Sequence, residues 1–233
     1  MKLTFLIVGW LVFTGAALST SPDTTRSIVL EDFEEDNPGE PPARWRFFSS
    51  RERAFLPLGP FMNPKEKFTV VAEGGNKFVR AYTEGEAQRI SLPSTDFDWR
   101  LSEYPMLRWD WRARRLPEGA REDKVNDSGG AIYVSFSKRD WLGRPLSIKY
   151  VYSTSLPEGT VVSTGNVKVL VASSGLDGTG RWVTVTRNVP EDYRRLFGGD
   201  PPDEPFTITL WSDSDNTRST AEVDFDNIVV MSK

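Results

Sequence analysis

The stretch Pro105-Met106-Leu107-Arg108-Trp109-Asp110-Trp111-Arg112-Ala113-Arg114 constrains the fold most, because from Leu107 onwards apolar and charged residues alternate without a break. Successive side chains leave a β-strand on opposite sides, so a period of two marks a strand with one buried face. Leu107, Trp109, Trp111 and Ala113 share the core side, and Arg108, Asp110, Arg112 and Arg114 the other. Two tryptophans two residues apart bury a large area, which sets this strand at the centre of an all-β core. The charged row either coats a solvated sheet or lines a polar groove.

Other short strands follow the same logic. Residues 27–33, 131–136, 146–152, 167–172, 181–186 and 206–211 each read as a strand, and residues 68–72 and 77–82 flank the hairpin signal Glu73-Gly74-Gly75-Asn76. In residues 221–230 the apolar phase moves from odd positions (Val223, Phe225) to even ones (Ile228, Val230), which predicts a bulge near Asp226-Asn227. Residues 49–67 and 116–130 read as long polar loops, and Ser212-Asp213-Ser214-Asp215-Asn216-Thr217 as a compact acidic one. One short helix is expected over 190–197, with proline early, acids in its first turn, arginines in its last and Gly198 beyond. Ten to twelve strands without βαβ alternation define an all-β, antiparallel β-sandwich or jelly roll, of the galactose-binding-like or concanavalin-like kind. Trp109, Trp111 and Trp182 are assigned to its core.

The N-terminus carries Lys2, an apolar run over residues 3–18 and then small polar residues. That run is shorter than the roughly 20 apolar residues of a membrane span, so residues 1–21 read as a signal peptide cut near Ala17-Leu18-Ser19. Residues 22–233 then form a single exported domain, periplasmic or secreted, with no stable membrane insertion. There is no cysteine, which excludes disulfides and a cysteine-linked lipid anchor and fits a bacterial periplasm or medium. Losing Lys2 with the signal takes the net charge from −4 to −5, which argues against a nucleic-acid partner. Histidine is also absent, so Ser-His-Asp and Cys-His nucleophile systems and imidazole-based zinc sites are excluded. With eight tryptophans, the balance favours a neutral, sugar-like ligand.

Several short motifs in order carry a family resemblance: Glu31-Asp32-Phe33-Glu34, Leu107 to Arg112, Leu116-Pro117-Glu118-Gly119-Ala120, Ile132 to Phe136, Gly180-Arg181-Trp182-Val183, Asp192 to Gly198, and Ser212 to Thr217. Together they resemble the bacterial domain-of-unknown-function family 3047, whose members are exported and have no established activity. The two ends of the chain, Asp-Phe-Glu at 32–34 and Val-Asp-Phe-Asp-Asn-Ile-Val-Val at 223–230, are also similar to those of galactose-binding-like jelly rolls and carbohydrate-binding modules. This second likeness implies a structural calcium held by Glu31, Asp32, Glu34, Asp224 and Asp226. No other cofactor or metal is expected.

The expected site is a polar groove on the concave face of the sandwich. Arg108, Asp110 and Arg112 supply its charged row. Trp141, Tyr150, Tyr152 and Trp211 are candidate stacking platforms, and Asp213, Asp215 and Asn216 candidate hydrogen-bonding groups, with Lys124, Asp127 and Lys149 beside them. Sugars need both kinds of residue, since aromatic rings cover their C–H faces while planar polar groups pair with their hydroxyls. The favoured reading is a non-catalytic binder of carbohydrate or a similar polyol. A carboxylate-dependent glycoside hydrolase or lyase instead requires Asp110 and Asp213 or Asp215 to lie roughly 5–10 Å apart. A structural protein of the cell envelope instead predicts an exposed apolar patch and no polar pocket.

Overall fold

Period-two alternation holds in both halves of the chain and builds two sheets whose apolar faces meet. The computed structural model describes residues 25–59 and 62–233, so the signal peptide expected over residues 1–21 lies outside the described residues. In chain order the strands are β1 (Ser27–Glu31), β2 (Arg46–Ser49), β3 (Ala54–Pro57), β4 (Glu66–Glu73), β5 (Asn76–Glu84), β6 (Ala87–Pro93) and β7 (Met106–Arg115). They continue with β8 (Ser128–Arg139), β9 (Pro145–Ser153), β10 (Val161–Thr164), β11 (Val167–Ser174), β12 (Val183–Asn188), β13 (Pro205–Asp213) and β14 (Thr220–Met231). The helix α1 (Val189–Phe197) stands where the sequence predicts it, capped by the Asn188 side chain, which accepts from the Glu191 N–H, and ended by Gly198 at φ 73°.

The six-stranded sheet runs β12-β7-β14-β5-β4, with β1 also paired to β14. Strand β14 holds two partners along one edge because it is bulged at its middle. Thr220 to Phe225 pair with β5, and Ile228 to Met231 with β1. On its other edge Asp226 faces Asp110 while Val229 faces Arg108, so one extra residue enters β14 between them, and Asn227 takes φ 50°. This is the predicted bulge, and it brings both halves' apolar residues onto the core face.

The eight-stranded sheet runs β10-β11-β9-β8-β13-β6-β2-β3. Its β9 and β11 are parallel, and the other pairs of this sheet among the described residues are antiparallel. The β10–β11 hairpin folds back so that β11 lies next to β9 and β10 becomes the edge, a connection that alternation alone does not reveal. Strand β3 lies inside the expected loop 49–67, and the loop 116–130 ends earlier than expected, with Ser128 to Gly130 already in β8.

Within the core between the sheets, four rings pair across the interface. Trp109 lies 5.4 Å from Tyr150 and Trp111 5.4 Å from Tyr152, all four buried, and the Trp111 indole N–H donates to Ser173 Oγ at 3.1 Å. Tyr150 continues outward, its hydroxyl donating to Asp192 of α1, which also receives Arg187 at 2.6 and 2.9 Å. Beside this cluster Gly130 lets the sheets approach: a Cβ there would sit 2.8 Å from Val223 Cγ1 and 2.9 Å from Phe225 Cζ. Gly130→Ala is therefore expected to destabilise by about 1–3 kcal/mol through overpacking. The check is a lowered urea midpoint at unchanged m-value.

Candidate functional site

The outer face of the eight-stranded sheet carries a groove of about 590 Å³. Its floor follows from the same alternation that builds the core. On β8, Ile132, Val134 and Phe136 point inward, leaving Tyr133 and Ser135 outside; on β13, Ile208 and Leu210 point inward, leaving Thr207, Thr209 and Trp211 outside. Hydroxyls pair across the strands, Ser91 with Thr209 at 2.7 Å and Ser147 with Ser135 at 2.9 Å. Tyr133 and Trp211 tilt against one another at 5.8 Å. Lys149 lies 5.5 Å from both rings, and the Arg89 guanidinium covers Trp211 at 5.3 Å. Phe48, Phe55 and Phe206 close one side.

At the rim, the β8–β9 turn is held rigid by Asp140, which accepts from the backbone N–H of Leu142 and Arg144 and from the Arg144 guanidinium at 2.7 and 2.9 Å. Arg139 adds a bond to the Gly143 carbonyl at 2.7 Å. The turn presents Trp141 with 90% of its surface exposed, beside the groove-lining Gly143 and Arg144. A large apolar ring held fully in water on an ordered turn is costly to leave unpartnered.

The opposite end of the same face is acidic and buried. Asp127, at the start of β8, accepts from the N–H and side-chain amide of Asn216 at 3.2 and 3.0 Å, and from the N–H and hydroxyl of Thr217 at 2.7 and 2.6 Å, which pins the loop after β13. Asp213, two residues beyond Trp211, is 2% exposed. Burial, then its neighbours Asp127 and Asp215, push its carboxyl up to about 7 against the pull of Lys149. Across Lys149 stands Glu122, also buried and raised mainly by desolvation, bonded to Ser153 Oγ at 2.7 Å.

Of the residues singled out in the sequence, Asp127, Lys149, Trp211, Asp213, Asp215 and Asn216 are thus brought together, with Trp141 at the far end of β8. Lys124 is in an exposed turn bonded to the Arg121 carbonyl. Tyr150 and Tyr152 are not stacking platforms, because their phase on β9 turns them into the core between the sheets, while Lys149 before them and Val151 between them take the opposite face. Arg108, Asp110 and Arg112 lie on the outer face of the other sheet, across the core from the acidic loop after β13, so Asp110 is not placed to act as a pair with Asp213 or Asp215. Arg112 instead pairs with Asp224 and Glu73, both at 2.8 Å, and its guanidinium stacks at 4.7 Å on Trp182. Trp182 itself is 40% exposed, against the core assignment: Val183 and Val185 take the inward phase on β12, which sends Trp182 and Thr184 outside. Tyr133, Arg89 and the phenylalanines of the groove went unmarked, although an aromatic on the non-core phase of β8 was the signal that could have found Tyr133.

The five acids implied as calcium ligands each have separate partners. Glu31 accepts from the Trp45 indole and the Phe33 N–H, Glu34 from the Lys77 N–H, and the Asp32 side chain from the Glu34 N–H. Asp224 takes Arg80 and Arg112, and Asp226 takes the Asn76 amide at 2.8 Å and the Asn227 N–H at 2.7 Å. Asp226 and its strand neighbour Asp110 share a small cavity of about 300 Å³ with Asn76, Asn227 and Trp182.

A two-sheet β-sandwich with an aromatic, hydroxyl-floored groove on one outer face is the class of protein that this fold and site define. The chain belongs to the family described as Protein of unknown function (DUF3047), whose sequence model matches residues 60–229. Among solved structures it is similar to a family 11 carbohydrate-binding module of a Clostridium thermocellum cellulosomal cellulase, at 11% identity and TM-score 0.45, covering 89% of this chain and 95% of that one. It is also similar to a family 30 module of another cellulosomal cellulase of that organism, at 13% identity and TM-score 0.47, covering 89% and 98%. No curated protein matches it by sequence. Among the described residues no helix is long and apolar enough to cross a membrane.

The Asp226 carboxyl, 3% exposed, is raised to about 6 by burial and by Asp110 and Glu34, against its bonds to Asn76 and Asn227. The native state therefore binds this proton more tightly than the unfolded chain, and the stability contributed by this carboxyl falls as pH rises from about 4 to 6, by an amount of order 2 kcal/mol. Asp226→Asn should match the wild type near pH 4 and exceed it above pH 6, measured as urea midpoints across that range.

Proposed function

We propose that this chain is an exported, non-catalytic carbohydrate-binding protein that takes a neutral oligosaccharide or similar polyol in the groove of the eight-stranded sheet. The groove is the observation that carries the reading. Tyr133 and Trp211 offer ring faces for the C–H side of a sugar, and the Ser91–Thr209 and Ser135–Ser147 pairs retain lone pairs for its hydroxyls. Arg89 and Arg144 add planar donors at the walls. Trp141, on its stiffened turn, extends the platform beyond the groove at little entropic cost, since its backbone is already ordered. Export rests on the apolar run over residues 3–18, and a periplasmic or secreted location follows from it.

A glycan array with the mature chain, followed by affinity electrophoresis in soluble polysaccharides, tests the reading. Binding to a defined glycan is expected. Trp141→Ala and Trp211→Ala should each weaken it by at least about tenfold, the effect of losing roughly 1.4 kcal/mol, with folding unchanged for the exposed Trp141. Silence over a broad panel, or retention unaffected by both changes, would remove the groove from the proposal.

A further inference from the structure

Beyond sugar binding, we infer that Asp127, Asp213 and Asp215 form a site for a hard divalent cation, calcium by chemical class, at the acidic end of the groove face. Among the described residues these three carboxylates each offer an oxygen within 4.8 Å of the others. Oxygens that far apart can flank one Ca²⁺, whose ligands lie at about 2.3–2.6 Å, in the irregular geometry that calcium tolerates and magnesium does not.

The second observation is unmet bonding. Asp213 is 2% exposed, and although the Trp211 indole N–H lies near enough to pull on its carboxyl, its Oδ1 has no partner in hydrogen-bond geometry among the described residues; Ser128, its register partner on β8, is wholly buried with a hydroxyl that has none either. A buried carboxylate oxygen without a donor loses hydration for nothing, so the arrangement calls for a positive ligand. Lys149 contributes one positive charge toward Asp213 but also faces the buried Glu122, so it does not by itself balance the three carboxylates, and a divalent cation would supply the missing positive charge.

The remaining parts suit metal entry. Asp127 is oriented by the donors of Asn216 and Thr217, so one ligand is preorganised. Asp215 is exposed and leaves coordination positions open to water. A cation here would cross-link the start of β8, the end of β13 and the loop between β13 and β14, one strand step from Trp211.

The test needs no sugar, so it stands or falls apart from the groove. Mature chain stripped with EDTA is titrated with CaCl2, followed by thermal unfolding and calorimetry, with MgCl2 as the comparison. A rise in Tm of several degrees, saturating at one Ca²⁺ per chain and smaller with Mg²⁺, is expected. Tb³⁺ should emit on tryptophan excitation, through nearby Trp211, and be displaced by Ca²⁺. Asp213→Asn and Asp215→Asn should each weaken calcium by at least about tenfold; the second lies at an exposed position and keeps the test sound if the first misfolds. No Ca²⁺-dependent shift in the wild type, or shifts of equal size in Asp215→Asn, would overturn the assignment.

Discussion

Trp109 and Trp111 interlock with Tyr150 and Tyr152 across the two sheets, each pair 5.4 Å apart, and this packing sets the phase of the strands around it. These rings fix the side on which every neighbour emerges, because a strand's side chains alternate and a one-residue slip would expose all of them. Once the tyrosines of β9 point inward, Lys149 must point outward, beneath Tyr133 and Trp211. Once the tryptophans of β7 do the same, Asp110 and Arg112 must emerge on the other side of the molecule. A single packing decision thus separates two polar faces that look equivalent in sequence.

The two faces then differ in how far they satisfy themselves. On the six-stranded sheet, the wholly buried Asp224 is shared by Arg80 and Arg112, Glu222 takes Arg114, and Glu73 closes the row. Such a network spends its hydrogen-bonding capacity internally, and breaking one partner would leave a buried charge exposed to its own desolvation cost. The eight-stranded sheet is different. Its aromatic rings are half open, its hydroxyls bond to one another in pairs, and its acidic end keeps buried oxygens without partners in hydrogen-bond geometry. Unspent capacity of this kind is what a ligand can use, which is why the candidate site lies on this face.

Much of the architecture was readable from residues 105–114 and their like. Alternation located most strands, proline, acids and glycine bounded α1, and the phase change at Asp226-Asn227 located the bulge. What escaped had weak local signals. Strand β10, a four-residue edge strand, has no apolar contrast to mark it, and the parallel pairing of β9 with β11 depends on a hairpin folding back over long range. Trp182 was misassigned because a tryptophan's size suggests burial, whereas the valines beside it held the inward phase.

The candidate site was legible only in part, for a related reason. Residue type marked Trp211, Asp213, Asp215 and Lys149 as chemistry-bearing, but proximity to one another is a property of the sheet order, which joins β8 to both β9 and β13. The all-β class, and which residues of each strand share a side, are local properties that follow from a period of two and are written in the amino-acid order. Whether such a side faces a groove, a core or an ion-pair lattice emerges in the folded molecule alone, because that depends on pairing between strands far apart in the chain.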